Sequence, residues 1–407
     1  MERVPHPAVA NDHGFRTVHR AVAADILSRA EALVPILAAR SAAAEGARQA
    51  PADTVADLEA AGLLKLCQPA RFGGYEMDWD VLCEVARILA RGCASQSWVG
   101  SIYNDHAQML GMFDAQAQDD VWAKAPSARI SAALEPTGKG RTVAGGTIWT
   151  GHHRYASGID HAQWLIFGGQ LAVADGSLRR CLYLLPKSDG TLIDDWCVVG
   201  LSGTGSKSFK VDEVFVPDHR ILDFVASDLG QGPGSLLAGA APIYRMPRHD
   251  IAPIGFAAVA IGIAEAFLRD YLDYTGGRVS RGLAMAEFTG SQIGIGQAAI
   301  EVEAAWRLCI GLVRETMQSL RAGEEVNREQ RLKIKAATSH GCQTALHAVQ
   351  RLFNAAGGSA LFADNPMQRR FRDIHAVTAH RSTHWELNSA GYGAHLLGMA
   401  APVGTAR

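Results

Sequence analysis

No two cysteines in this chain stand in a CxxC spacing. The seven thiols (Cys67, Cys83, Cys93, Cys181, Cys197, Cys309 and Cys342) are scattered and odd in number. That argues against a disulfide framework or a zinc site, and for a reduced, cytoplasmic protein. Basic runs are missing too; with a formal net charge of −2 there is no electrostatic footprint for nucleic acid. The opening stretch MERVPHPAVANDHG has no apolar h-region, so no secretory leader is expected. HExxH is absent, and His380 and His384 stand four apart without companion ligands, so no metal is expected. The nearest approach to a phosphate-binding motif, GTGSKS at 203–208, lacks the third glycine of GxGxxG and the Gly-Lys pair of a P-loop. It reads as a turn. Only Ile251 to Leu268 raises the question of a membrane. Its Pro253, Glu265 and many small residues point instead to a helix buried among helices.

What is present is a globular composition: 407 residues, 48% hydrophobic and 20% charged, enough for two or three domains around a large core. Residues 15–126 read as a helical domain. Asp78 to Gly92 and Ala94 to Met112 are amphipathic helices, the second unusually rich in polar residues. Residues 127–225 carry short apolar runs punctuated by Gly, Pro, Ser and Asp, the pattern of a small antiparallel β-domain of barrel or sandwich type. A Gly/Pro-rich link leads to residues 240–400, which return to long helices suited to a four-helix bundle. The fold class is α+β, in the order α, β, α.

The chemistry is expected where these parts meet, at GGTIWTGHHRYASGIDHAQWLIF (145–167). The stretch reads as a strand from Val143 to Trp149, a polar corner, and a second strand from Gln163 to Phe167. Small residues at the corner, Ala156, Ser157 and Gly158, let a flat ligand approach the backbone. Ser157 offers a hydroxyl and Gly158 a backbone N–H. On the fourth helix Trp98 and His106 stand eight residues apart and share one face. Taken alone, each is ordinarily a core residue; together with the corner they outline a site.

Five segments in order resemble the acyl-CoA dehydrogenase fold superfamily over nearly the whole chain: GLLKLCQPARFGGYEMDW, ALEPTGKG, GHHRYASGIDHAQWLIF, GTGSKSFKVDEVFVPDHRIL and NAAGGSALFADNPMQRRFRD. The resemblance implies an N-terminal helical domain, a central β-domain, a C-terminal helix bundle and a flavin. One departure bears on the activity. Where many dehydrogenases place a Tyr-Glu pair after the late Arg-Asp, this chain has His380-Arg381, and arginine cannot act as the base. Trp98, His106, Ser131, Ser157 and His380 match instead the active-site set of the two-component flavin monooxygenases built on this fold, among them the p-hydroxyphenylacetate, steroid-phenol and polyketide-phenol hydroxylases.

That resemblance implies an oxygenase component taking reduced FMN or FAD from a separate NAD(P)H-flavin reductase. With O₂ it would hydroxylate a small aromatic substrate (phenolic, indolic or polyketide) through a flavin C4a-hydroperoxide. Implied roles are Ser157 at flavin N5, His380 as the base that takes the substrate proton, His106 bonding substrate or peroxide, and Trp98 as an aromatic wall. Ser131, Ser157, Gly158, Arg248 and Arg278 would contact the cofactor, with Arg245 a further cationic candidate. A homotetramer is expected, since the apolar C-terminal helices suit a shared bundle. The alternative is a flavin dehydrogenase of acyl-CoA-like substrates.

Overall fold

The computed structural model describes residues 12–400 apart from 174, 175 and 281, with side chains described from residue 21 onward. The N-terminal stretch on which the expectation of no leader rests lies mostly outside the described residues. Five helices come first: α1 (Asp12–Ala47), α2 (Ala52–Ala60), α3 (Trp79–Gly92), α4 (Ala94–Gly111) and α5 (Ala115–Trp122). In α3 the apolar residues Leu82, Val85, Ala86 and Leu89 fall at helical spacing and are all buried, which places one stripe in the core. α5 starts where the Asp114 carboxylate accepts the Gln116 N–H at 2.8 Å, an N-cap.

Seven strands follow: β1 (Ile130–Val143), β2 (Gly146–Ala156), β3 (Trp164–Ala172), β4 (Leu178–Pro186), β5 (Thr191–Ile193), β6 (Lys207–Pro217) and β7 (Ile221–Asp223). They form one sheet in the order β5-β6-β2-β1-β3-β4-β7. The hairpin turn lies at Ala144–Gly145, with Gly145 at φ +77°. This corrects the expected boundary at Trp149, because β2 runs on to Ala156 and pairs with β6 as well as β1. The expectation of a wholly antiparallel domain is corrected at one ladder: β3 crosses to the far side of β1 and pairs with it in parallel. That ladder breaks between Ala133 and Gly138. Leu134 to Thr137 fall outside the register with both neighbouring strands, a bulge that turns backbone toward a site.

The remaining elements are α6 (Phe224–Asp228), α7 (Arg248–Ile251), α8 (Ile254–Gly276), the small hairpin β8 (Val279–Ser280) and β9 (Leu283–Ala284), α9 (Thr289–Arg321), α10 (Arg328–Ala356), α11 (Pro366–Thr378) and α12 (Trp385–Leu396). α10 opens with a capping box, Asn327 with Gln330. α8 touches α3, α4, α9, α10 and α11. Its apolar run is long enough to cross a membrane, yet Ala257 to Ala264 are buried by protein on every side. One apolar core joins the N- and C-terminal helices, and a second, around Trp149, Phe167, Tyr183 and Phe209, belongs to the sheet.

Candidate active site

Helices, sheet and C-terminal segment enclose a cavity of about 860 Å³. From α4 come Trp98, Ile102, Asp105 and His106, at positions i, i+4, i+7 and i+8, one face of the helix. The other polar residues of α4 hold structure. Gln96 bonds Leu37 O and Thr54, Asn104 bonds Leu63 O and Leu66 N, and Gln108 bonds Ile243 O. They account for the helix's odd polarity without chemistry.

The β2 corner supplies the second wall. Tyr155, a non-glycine at φ +68°, turns the chain off the sheet, and Ser157 follows, facing the cavity. The Ser157 hydroxyl receives the Trp98 indole N–H at 3.1 Å and lies 2.7 Å from Ser206 Oγ. Ser206 lies 2.7 Å from Thr204 Oγ1, which donates to Leu201 O at 2.7 Å. These partners come from the strap 194–206 between β5 and β6, the stretch that reads in sequence as a failed phosphate loop. The strap is clamped to α11: Asp373 accepts the Leu201 N–H at 2.7 Å and Arg372 donates to Val199 O at 2.6 Å. Leu201 is held at φ +53°, a conformation that persists in a non-glycine residue only when its surroundings over-determine it.

The third wall is C-terminal. Phe256 of α8 stacks on Trp98 at 4.4 Å, and its ring centroid is 4.6 Å from that of His380. The Trp98 and His380 rings are 6.0 Å apart, and His380 and Ser157 line the same cavity. His380 lies on no helix: it stands between α11 and α12 as the cap of a short 3₁₀ turn.

Hydrogen bonds fix the two histidines in opposite tautomers. His106 Nδ1 lies 2.9 Å from Ile130 O. A carbonyl can only accept, so Nδ1 carries the proton and Nε2 is a bare acceptor. His380 Nδ1 accepts the Ser382 N–H at 3.2 Å, so its Nε2 carries the proton. Burial lowers the His106 pKa from 6.5 to about 4, with Asp105 and Arg248 pulling in opposite senses. The protein around His380 lowers it likewise, toward about 4. His380 is nonetheless exposed to the cavity, so water standing there screens part of that depression. Both rings are neutral near pH 7.

Other expected site residues fall into two groups. Arg248 lines the cavity, but its guanidinium is held by Asp105 at 2.6 Å, with 4% and 13% of the side chains exposed; its Nε is buried without a partner. The pair spans 143 residues of sequence. The rest do not face the cavity. Ser131 donates its hydroxyl to the Ser157 carbonyl at 2.8 Å and fixes the corner from behind. The Gly158 N–H is already given to Thr204 O at 2.9 Å, so it is not free for a ligand. Arg278 donates to the Ala356 carbonyl and lies over Tyr274; Arg245 bonds Leu320 O. His375 is satisfied by Phe371 O and Gln350, and His384 faces Glu386 at the surface. Sequence reading missed Thr204, Ser206, Asp105, Phe256 and His153. Asp105 carried one signal, its place on the face of Trp98 and His106.

A flavin ring fits this arrangement. A flat ligand at the corner would meet the Ser157 hydroxyl and the bulge at Leu134–Thr137, of which Leu134, Glu135 and Thr137 also line the cavity.

Comparison with known proteins agrees with the geometry. Residues 254–385 match the family described as acyl-CoA dehydrogenase, C-terminal domain. The chain is 34% identical to a flavin-dependent monooxygenase oxygenase subunit, HsaA, of Rhodococcus jostii (strain RHA1), covering 92% of this chain and 98% of that one. It is 33% identical to the oxygenase component of an FADH(2)-dependent resorcinol hydroxylase of Rhizobium sp. (strain MTP-10005), covering 98% of each. The crystal structure of the HsaA monooxygenase from M. tuberculosis superposes with a TM-score of 0.89 at 34% identity, over 94% of this chain and 100% of that one.

Proposed function

The chain belongs to the oxygenase subunits of flavin-dependent monooxygenases that share the acyl-CoA dehydrogenase fold, and from that premise we propose that it hydroxylates a small aromatic substrate bearing an ionisable hydroxyl or ring N–H. Reduced FMN or FAD, delivered by a separate NAD(P)H-flavin reductase, supplies the electrons and activates O₂. The protein's part is to position, to exclude water and to manage one proton.

The observation that carries this reading is the pair of opposed tautomers on one aromatic-walled cavity. His106 Nε2, a lone pair beside the Ile130 contact, takes the substrate's acidic proton. His380 Nε2–H donates to a substrate oxygen and supports the electron-rich form of the ring. This reverses the roles expected from sequence, where His380 was the base: its accepting nitrogen is occupied by the Ser382 amide. Trp98 and Phe256, stacked at 4.4 Å, make the wall against which a planar substrate lies. Ser157 holds the N5 edge of the flavin. Arg248, tied to Asp105, acts on the floor next to His106 and less on the flavin.

The dehydrogenase alternative is disfavoured by the placement of the carboxylates. The carboxylates lining the cavity are Asp105, locked to Arg248, and Glu135, exposed at the rim and 3.8 Å from Arg381. A homotetramer is supported by an uncovered apolar stripe on α9, Ile293, Ile300 and Leu308, at 64%, 72% and 40% exposure. A cytoplasmic setting is supported by the free thiols of all seven cysteines. The test is a screen of phenols, indoles and phenolic polyketides with a generic flavin reductase, NADH and O₂, products being read by mass. A gain of one oxygen atom is expected. Oxygen consumption without any oxygenated product would refute the reading.

A further inference from the structure

Three oxygen–oxygen contacts run in line through the corner: Ser157 Oγ to Ser206 Oγ, Ser206 Oγ to Thr204 Oγ1, and Thr204 Oγ1 to Leu201 O, each 2.7 Å. Two oxygens at that distance need a proton between them. Three contacts therefore require three protons, and three hydroxyls supply them, one each. The carbonyl of Leu201 has none to give, so Thr204 must donate to it. Ser206 must then donate to Thr204, and Ser157 to Ser206. At the near end the Trp98 N–H occupies one lone pair of Ser157, in the same sense.

The direction is anchored. Leu201 O also accepts the Thr204 N–H at 3.1 Å and the Trp196 indole N–H at 3.2 Å, while its own N–H is held by Asp373. Reversing the row would leave Thr204 Oγ1 and Leu201 O face to face with no proton between them, in a place where both Thr204 and Leu201 are buried. Ser157 thus presents one thing to the cavity, a single lone pair.

We propose that this polarised row of hydroxyls makes the site discriminate between flavin redox states, with Thr204 and Ser206 as the positioning residues that set the preference. The inference rests on the reading of Ser157 as the neighbour of flavin N5. Two-electron-reduced flavin carries a hydrogen on N5 and donates it to the Ser157 lone pair. Oxidised flavin has a bare N5, which meets that lone pair with no proton between. Product flavin is thereby expelled for re-reduction, and reduced flavin is retained.

The experiment is an anaerobic fluorescence titration of the full-length protein with FMN and FAD, oxidised and chemically reduced. The wild type should bind the reduced form at least about tenfold more tightly, the difference between a satisfied and an unsatisfied hydrogen bond. Thr204→Val and Ser206→Ala each release the Ser157 proton to face the cavity. They should tighten oxidised-flavin binding and bring the ratio toward unity, whereas Thr204→Ser keeps the wild-type ratio. A purely structural role would weaken both redox states together and leave the ratio alone. Ser157→Ala separates the premise from the inference. If it changes neither affinity, Ser157 is not at N5 and the premise falls. If it weakens only the reduced form while Thr204→Val and Ser206→Ala keep the wild-type ratio, the directional row is refuted.

Discussion

Acidification from pH 7 to pH 5 should destabilise this protein by an amount that its buried histidines set. Burial lowers His106 and His153 from 6.5 to about 4 each, and their side chains are 4% and 1% exposed. For such a group the stability is present above the unfolded pKa and is lost as pH falls toward the folded one. Each ring therefore gives up about 2 kcal/mol over this interval, as the unfolded chain takes up a proton that the native one refuses. Asp373 works the other way. Burial raises its pKa from 3.8 to about 6, so its contribution is present below the unfolded pKa and lost as pH rises through 6; going down to pH 5 returns about 1 kcal/mol. The three groups together predict a net loss of about 3 kcal/mol. His153 is the place to test this, because it stacks on Phe167 at 4.4 Å and 5° and its Nε2 has no partner. His153→Phe keeps the stack and removes the titration. Urea unfolding followed by circular dichroism at both pH values should show the variant losing only about 1 kcal/mol. Equal losses in wild type and variant would mean that His153 charges freely in the folded state, and the reasoning would fail.

Further outcomes follow from the geometry. Ser157→Ala should raise hydrogen peroxide released per NADH consumed while substrate still binds, as a coupled peroxide assay would show. His106→Asn should lower product formation by about 10²-fold or more with flavin oxidation largely kept; His380→Asn, whose amide oxygen can still cap the Ser382 N–H, should mainly raise KM. Gly200→Ala places a Cβ 2.3 Å from the Arg372 carbonyl and should destabilise by roughly 1–3 kcal/mol, read as a lower Tm. Ile300→Asp, on the exposed stripe of α9, should reduce the assembled mass in light scattering without changing the circular dichroism spectrum.

Much of the helical frame was legible from periodicity alone. α3 and α4 lie close to where their apolar spacing put them, and the eight-residue interval between Trp98 and His106 did mark a shared face. The sheet was harder, because pairing is a long-range choice. Nothing in GGTIW distinguishes a strand that begins there from one that ends there, and the parallel β1–β3 ladder depends on a crossover no local pattern encodes. The site residues divide in the same way. Ser157, His106 and His380 stand out by residue type and order, but which nitrogen of each histidine carries the proton does not, since a tautomer is decided by a backbone atom elsewhere in the chain. The GTGSKS stretch reads in sequence as a turn. Its first half is one, at Ser202–Thr204, and its last two residues open β6; the Thr204 and Ser206 hydroxyls are tied to Ser157, not set out for a phosphate. Gly158 failed because its N–H was spoken for by Thr204, which composition cannot reveal.

The two histidines owe their proton polarity to a main-chain carbonyl and a main-chain amide, Ile130 O and Ser382 N, the first supplied by every residue and the second by every residue but proline. Replacing side chains around the pocket leaves that polarity intact. Ile102, Ala252 and Leu387, which line the same cavity, can therefore change to admit a broader or narrower ring without disturbing which nitrogen gives and which receives. The enzyme's appetite is free to drift while its acid–base grammar stays written in the backbone.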